Sequence, residues 1–405
     1  MKILYFGTVC NSTDYEKMLA GCRIKPSAAP FAFETALMQG FSDHGADVEV
    51  FSFPAIPSFP KNKRIFIKPL KSPLDCGYSS TWIPSLNITC LKQLGRWLSS
   101  HRMLKKWLEE NWSEKKAVII YSIYHPVAKS IISLCKKTGT PCFAMVPDLP
   151  RDMFSNEKIS FFKRFISRIY VRAAENLQCK FNGYIYFTKY MKDVINPSAP
   201  YIVCEGIAED FFSSPEVKSD GRTIMYAGAL NKKMGVDVLL DAFSSIPDQN
   251  IKLWLFGSGD YVSQIKTAAK KDARIKFFGQ KPRNEILNSL QQAHLLVNLR
   301  NAGEEYTKYS FPSKTIEYMV SGTPVLTTKL PGIPDEYFDY CFTVDELSAN
   351  EIAKKILEIF SVPEEKLKVF GAKARGFVLE NKNSYVQSEK ILKFIKRSAN
   401  YEHET

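Results

Sequence analysis

Three residues whose types bind anions well, Ser313, Lys314 and Thr315, stand together after Pro312, and Glu317 follows one turn on. Pro fits the first position of a helix, because its missing N–H would be unpaired there anyway. Free backbone N–H groups, hydroxyls and an ammonium then gather at the positive end of a helix, which makes an anion site. Glu317 lies within reach of whatever carries the anion, and an acceptor-only carboxylate suits a pair of sugar hydroxyls. A phosphate beside a diol describes a nucleotide sugar. The plainer alternative is a capped surface helix with Lys314 and Glu317 solvated.

Other residues could serve the same chemistry. Arg300 ends an apolar run and is placed to meet phosphate or an acceptor, or else to pair with Glu304. Lys232 and Lys233 lie in the strand-end loop Gly228-Ala-Leu-Asn-Lys-Lys-Met-Gly235. Departure of a nucleoside diphosphate develops negative charge that a fixed cation stabilises. Two lysines that merely face water at a helix start are disfavoured, since cations oppose the dipole there. Gly7 closes the first strand, so the loop after it lines a candidate cleft; as a lone glycine it equally suits a plain turn. Asp148, between prolines in VPDLPRDM, is a candidate for binding or deprotonating an acceptor hydroxyl, with an Asx turn as the alternative.

The elements that must position these residues alternate between strand and helix. Lys2 to Phe6 reads as a buried strand, a polar loop runs to about Pro26, Pro30 to Asp43 is helical, and Asp47 to Phe53 is a strand. Residues 54–87 read as irregular, with a short strand at Arg64 to Ile67. Strands at Lys116 to Ser122, Pro141 to Val146, Gly183 to Phe187 and Tyr201 to Cys204 follow, with helices between them. Gly206 to Gly221 is polar, with Ser-Ser-Pro and a late Gly, and reads as a linker. A second unit then opens at Thr223 to Ala227. Its further strands lie at Lys252 to Phe256, Ile275 to Phe278, Leu295 to Leu299 and Val325 to Thr327, and a last helix spans about Ser384 to Arg397. The fold class is α/β, and in such sheets ligands sit beyond the carboxyl ends of the strands. There is no G-x-G-x-x-G motif.

The segment Glu317-Tyr-Met-Val-Ser-Gly-Thr-Pro324 resembles the E-A-M-A-C-G-T-P segment of the family 4 retaining glycosyltransferases. The longer form EEYTKYSFPSKTIEYMVSGTPVL is similar to a sub-branch that builds bacterial capsular and other surface polysaccharides. The resemblance implies the GT-B fold, two Rossmann-like doubly wound domains facing a central cleft with the C-terminal helix crossing back. The domains would be 1–206 for the acceptor, 207–383 for the nucleotide sugar, and 384–405 returning to the first. It implies that Gly228 and Lys233 belong to the diphosphate loop. The usual G-R-L-x-x-x-K-G is not kept there, since Ala229 replaces its arginine and Met234 stands at its lysine position. In similar proteins the turn Gly279-Gln280 holds the nucleotide base, and a histidine at the position of His125 contacts the donor sugar. The family's first glutamate, eight positions before the second, is Tyr309 here. Glu305 or Tyr309 would then approach the donor sugar, while Phe311 matches the aromatic between the two glutamates.

The resemblance implies transfer of a sugar, of the hexosyl type, from a nucleotide diphosphate sugar to a hydroxyl of a glycan, one carried on a lipid. The front-face mechanism proposed for such enzymes needs no enzymatic nucleophile. No D-x-D motif is present, so no metal or other cofactor is expected. The alternatives are a nucleotide-sugar epimerase or a phosphorylase of the same fold, or a non-catalytic GT-B binding protein in which Tyr309 marks lost activity.

The 405 residues are 45% hydrophobic and 24% charged, an ordinary globular composition. Nine scattered cysteines, none at C-x-x-C spacing, suit a reducing cytoplasm rather than a disulfide framework or zinc site. No signal peptide and no membrane-spanning run is expected. The net charge of +13 falls mostly in residues 1–210. Two basic stretches with aromatics, Leu94 to Lys116 and Phe161 to Arg172, suit an anionic membrane surface better than nucleic acid. Their alternative is aromatics facing the core and lysines facing water. A cytoplasmic protein peripheral on the inner face of the cytoplasmic membrane is the expectation.

Overall fold

The computed structural model describes residues 1–23, 26–89, 91–123, 125–151, 161–212 and 217–400, apart from the side chains of 161–167. The chain forms two compact units, Met1–Ile207 with Ser384–Thr405, and Ala208–Asn383.

The first unit runs β1 (Lys2–Gly7), α1 (Ser12–Leu19), α2 (Ala29–Asp43), β2 (Asp47–Ser52), β3 (Phe66–Ile67), β4 (Lys71–Pro73), β5 (Ser79–Trp82) and β6 (Ser85–Leu86). It continues with α3 (Leu91–Glu110), β7 (Lys116–Tyr121), α4 (His125–Thr138), β8 (Cys142–Val146), α5 (Phe161–Gln178), β9 (Gly183–Tyr186), α6 (Met191–Ile195) and β10 (Tyr201–Val203). Its main sheet has the order β10-β9-β8-β7-β1-β2-β5-β4, parallel throughout except where β4 pairs antiparallel with β5. The central strands are buried along almost their whole length, as strands covered by helices on both faces must be, and β1 and β7 are accordingly near-continuous apolar runs. The strand order reverses between β1 and β7, so Gly7 and Ser122 end the two strands that flank this unit's switch point. Ser122 holds a φ of +66°, rare for a residue with a Cβ.

Two features of this unit depart from the sequence reading. The loop expected as far as Pro26 contains α1, capped by Asn11, whose side-chain oxygen accepts from the Thr13 N–H at 2.9 Å. The stretch 54–87 contributes β4 and β5 to the main sheet and the small antiparallel pair β3–β6. These strands are only two to four residues long and rich in Ser and Thr, so they carry little apolar alternation.

The second unit runs β11 (Arg222–Ala229), α7 (Val236–Ser244), β12 (Ile251–Ser258), α8 (Val262–Lys271), β13 (Ile275–Gly279), α9 (Arg283–Gln292), β14 (Leu295–Asn298) and α10 (Lys314–Val320). β15 (Val325–Thr328), β16 (Phe342–Val344), α11 (Ala349–Ser361) and α12 (Glu364–Asn381) complete it. Its six strands are all parallel, in the order β13-β12-β11-β14-β15-β16. This is the doubly wound pattern in which the chain starts at the centre, builds one way, then returns to build the other. The switch point lies between β11 and β14. Residues 208–212, read as linker, are packed into this unit: the Ala208 N–H donates to Lys382 O at 2.7 Å and Phe212 lies against the core. Residues 213–216 of that stretch lie outside the described residues.

The last helix, α13 (Ser384–Ser398), belongs to the first unit and packs on α2. Gly40 permits this, since a Cβ there would sit 2.2 Å from Ser384 O. Ile391, Phe394 and Ile395 enter the same core as Leu37, Phe41 and Phe143.

Candidate functional site

At the switch point of the second unit, the ends of β11 and β14 and the start of α10 bring cations together around a glycine. Gly228 sits near the end of β11, and a Cβ there would lie 2.8 Å from Lys314 Cε and 2.9 Å from Tyr226 Oη. The lysine stem therefore lies across bare backbone. Tyr226 turns back to donate to Ala229 O at 2.9 Å. Tyr318, fully buried on α10, accepts from the Ala227 N–H at 2.9 Å, so the helix is tied to β11 beside Gly228. Gly257 allows the neighbouring strand to close in: its φ is +127° and a Cβ would fall 1.8 Å from Gly228 O. It is thus a packing glycine rather than only a turn.

Arg300 follows β14 directly. Its Nε is buried without a hydrogen-bond partner, and the expected ion pair with Glu304 is absent among the described residues. Burial lowers its pKa in a setting made by Tyr306, Tyr226 and Tyr318. Burial also lowers the Lys314 pKa; Glu317 opposes the shift and the charge of Arg300 adds to it. Two cations held close and incompletely matched, at the carboxyl ends of parallel strands, make an arrangement that an anion would stabilise.

Glu317 is part-exposed and has a charged partner. Its Oε1 lies 3.7 Å from Arg283 Nη2, and Arg283 rests 4.3 Å over the ring of Phe211. Sequence reasoning passed over Arg283, which carries no motif and reaches Glu317 only because α9 and α10 both begin near this edge. It also passed over Tyr306, which was visible only as part of a polar loop. The Tyr306 hydroxyl donates to Lys233 O at 3.1 Å, and Lys233 Nζ stands 4.2 Å over its ring. The loop after β14 is thereby fixed to the loop after β11. Lys233 itself is exposed, at the rim of the group that holds Arg300 and Lys314.

The other expected residues fall as follows. α10 begins at Lys314, so Pro312 stands before the helix, and Ser313 makes no side-chain cap. Thr315 is a correction. It is fully buried, its hydroxyl accepts from Asn298 Nδ2 at 3.2 Å, and its N–H donates to Pro312 O at 2.8 Å. It joins α10 to β14 and offers nothing to a ligand. Glu305 opens a short 3-10 turn, exposed, and Tyr309 closes it, half-buried. Gly279 has a φ of +71° at the end of β13, and the side chain of Gln280 donates to Ser258 Oγ at 2.9 Å, across the ends of two strands.

In the first unit, Gly7 is explained by a partner the sequence did not reveal. A Cβ there would sit 2.0 Å from Glu34 Oε2. Glu34, on α2, is fully buried and accepts from both the Thr8 N–H, at 2.8 Å, and the Thr8 hydroxyl. Gly7 thus makes room for a buried carboxylate. His125 heads α4, its N–H donating to the Tyr170 hydroxyl at 3.2 Å, and burial lowers its pKa with Lys129 adding to the effect. Asp148 is exposed in the loop after β8. Among the described residues no three His, Cys, Asp or Glu side chains cluster as metal ligands, and no helix is long and apolar enough to cross a membrane.

Residues 208–377, which contain every part of the second-unit site, match the family model for glycosyl transferases group 1. Curated relatives extend this over a little more of the sequence. An uncharacterised glycosyltransferase of Methanocaldococcus jannaschii is 24% identical over 201 residues, 48% of this chain and 53% of that protein. The amylovoran biosynthesis glycosyltransferase AmsK of Erwinia amylovora is 25% identical over 183 residues, 44% of this chain and 45% of that one. The chain spans about half the length of the curated relatives it matches. Among solved structures, Anabaena HepE in complex with UDP and glucose superposes with a TM-score of 0.63 over 98% of this chain and 99% of its own, at 15% identity. The fold is GT-B.

Proposed function

We propose that this protein is a retaining glycosyltransferase that moves a sugar from a nucleotide diphosphate sugar to a hydroxyl of a lipid-linked glycan, in the building of a surface polysaccharide. The observation that carries the reading is the pair Arg300 and Lys314, two incompletely matched cations set around Gly228 at the switch point, within residues that match the glycosyl transferases group 1 model. A diphosphate supplies the missing charge. Glu317 then holds the ribose diol, with Arg283 beside its carboxylate. The UDP held by HepE and the polysaccharide named in AmsK support the donor class and the product class.

In the reaction we propose, the acceptor oxygen bonds to the anomeric carbon on the face the diphosphate leaves. The bond from that carbon to the β-phosphate oxygen breaks, and the acceptor proton passes to the departing phosphate. Arg300 and Lys314 stabilise the charge that grows on the leaving diphosphate, with Lys233 at the rim. No side chain becomes covalently attached, and we propose that no metal is required.

Thermal unfolding of the full chain with UDP, GDP and ADP tests the reading. The matching nucleotide at about 100 times its dissociation constant stabilises by ~2.7 kcal/mol. Lys314→Ala and Arg300→Ala each weaken that nucleotide by about 10- to 100-fold, the size of a charge-assisted hydrogen bond. Stabilisation by no nucleotide, or affinity in both variants equal to that of the unaltered chain, overturns the assignment. Donor consumption that needs an added glycan acceptor separates transfer from epimerisation.

A further inference from the structure

The first unit presents an apolar and basic face that the glycosyl-transfer reading does not use. Eight of the seventeen large hydrophobic side chains exposed among the described residues fall between positions 59 and 98, about a tenth of the chain. Single exposed apolar residues need no explanation, but a contiguous group does. These are contiguous. Phe66 and Leu86 are cross-strand neighbours in β3–β6, 48% and 41% exposed, while Ile67 and Ser85, their partners in alternation, face inward. The Phe59 N–H donates to Asn87 O, and the Asn87 N–H to Ile65 O, both at 2.7 Å, which sets Phe59 and Ile65 beside the same strand pair. α3 lies against it at Gly95, whose Cβ would be 3.4 Å from Leu86 N, and Leu94 and Leu98 flank that contact one turn apart, 50% and 44% exposed.

The platform is built to hold this face outward. Asn87 is fully buried and donates to Arg64 O at 2.8 Å and Pro57 O at 3.1 Å. Lys92 and Arg96, buried on α3, donate to Ile56 O and Pro54 O. Around the apolar residues stand Lys61, Lys63, Arg64, Lys68 and Lys71, all exposed and in no ion pair among the described residues. From residue 50 to residue 108 the only acidic residue is Asp75.

We propose that the antiparallel pair β3–β6 and the first half of α3 dock on a bilayer that carries anionic lipids. Apolar side chains enter the headgroup boundary while the cations meet phosphate and carboxylate. Charge complementarity decides for the membrane. A nucleic acid would use the cations and leave the apolar group exposed, and a protein partner would meet a rim of one sign only. The face is not the one the composition of α3 suggests. Trp107 turns inward to donate to Glu49 Oε2 at 2.9 Å, and Lys105 and Lys106 are matched by Glu109 and Glu110 at 3.7 and 3.6 Å. The side chains of residues 161–167, in the second basic stretch, lie outside the described residues.

Cosedimentation of the full chain with phosphatidylcholine vesicles, with and without phosphatidylserine, tests this. Binding is expected only with phosphatidylserine, and weakens with salt. Lys63→Gln with Arg64→Gln lowers partitioning about 25-fold, at about fivefold per cation. Phe66→Ser with Leu86→Ser lowers it about tenfold or more. Lys270→Gln with Lys271→Gln, exposed on α8, leaves it unchanged, and an unaltered unfolding temperature shows that each variant folds. The proposal fails if the unaltered chain binds neither vesicle, if the β3–β6 variants bind as it does, if the α8 pair is equally damaging, or if Trp112→Ser, at an exposed residue just past the end of α3, alone abolishes binding. Self-association of the unaltered chain, lost in Phe66→Ser with Leu86→Ser and without vesicle binding, overturns it in favour of a contact between copies.

Discussion

Arg300 carries a charge that the protein does not match, and that has a measurable cost. A guanidinium with a buried, unpartnered Nε is destabilising until an anion arrives. Arg300→Met is therefore expected to raise the stability of the unliganded chain by about 1 kcal/mol while weakening the nucleotide of the proposed reaction, so stability and binding move in opposite directions. Urea denaturation with and without nucleotide checks it, and a fall in both quantities shows the arginine to be structural. Glu34 offers a second test. Burial pushes its carboxyl up from the ordinary range to about 7, against the hydrogen bonds from Thr8 that pull the other way. The folded chain then keeps this proton where the unfolded chain has lost it. Stability falls as pH rises from the unfolded value of 4.5 through about 7, by ~3 kcal/mol in total. Glu34→Gln should flatten that slope in urea midpoints taken on either side of the window. An unchanged slope assigns it to other groups.

At the scale of elements, the loop after β11 depends on Gly235 and the helix α10 on Thr315. Gly235 has a φ of +70°, and a Cβ would lie 2.4 Å from Leu299 O. Gly235→Ala should cost about 1–3 kcal/mol in chemical denaturation. Thr315→Val removes the partner of a buried Asn298 amide and should cost about 1–2 kcal/mol while leaving UDP affinity unaltered, which separates it from Lys314→Ala. These positions also show how far the sequence could be read. The strands β1, β2, β7, β8 and β11 to β15 were legible, because buried parallel strands are apolar along their length. α1, β4 and β5 were not, because they are short, polar and held by partners far along the chain. Lys314 and Glu317 were legible through a local motif. Arg283 and Glu34 were not, since each gains its meaning from a residue on another helix or loop. Thr315 was misread because its type suits an anion site, and only the packing of α10 on β14 shows its hydroxyl to be taken.

At the scale of the whole molecule, the two units have separate cores, and α13 serves the first. Its Ile391, Phe394 and Ile395 are buried among residues of α2 and β8. Removal of residues 384–405 should therefore destabilise the unit that begins at Met1, while the unfolding step of 208–383, the one the proposed nucleotide would raise, keeps its midpoint. Differential scanning calorimetry with and without UDP reads the two steps, and a loss shared by both argues against the division.

The return of α13 also fixes an order of synthesis. Everything the 208–383 unit needs leaves the ribosome together, with its strands joined by helices close in sequence. The earlier unit emerges first and waits: α2 and β8 expose the apolar surface that α13 covers until about 176 later residues have been made. The part begun first is the part finished last, and the nascent chain is most vulnerable to chaperone capture and proteolysis in that interval.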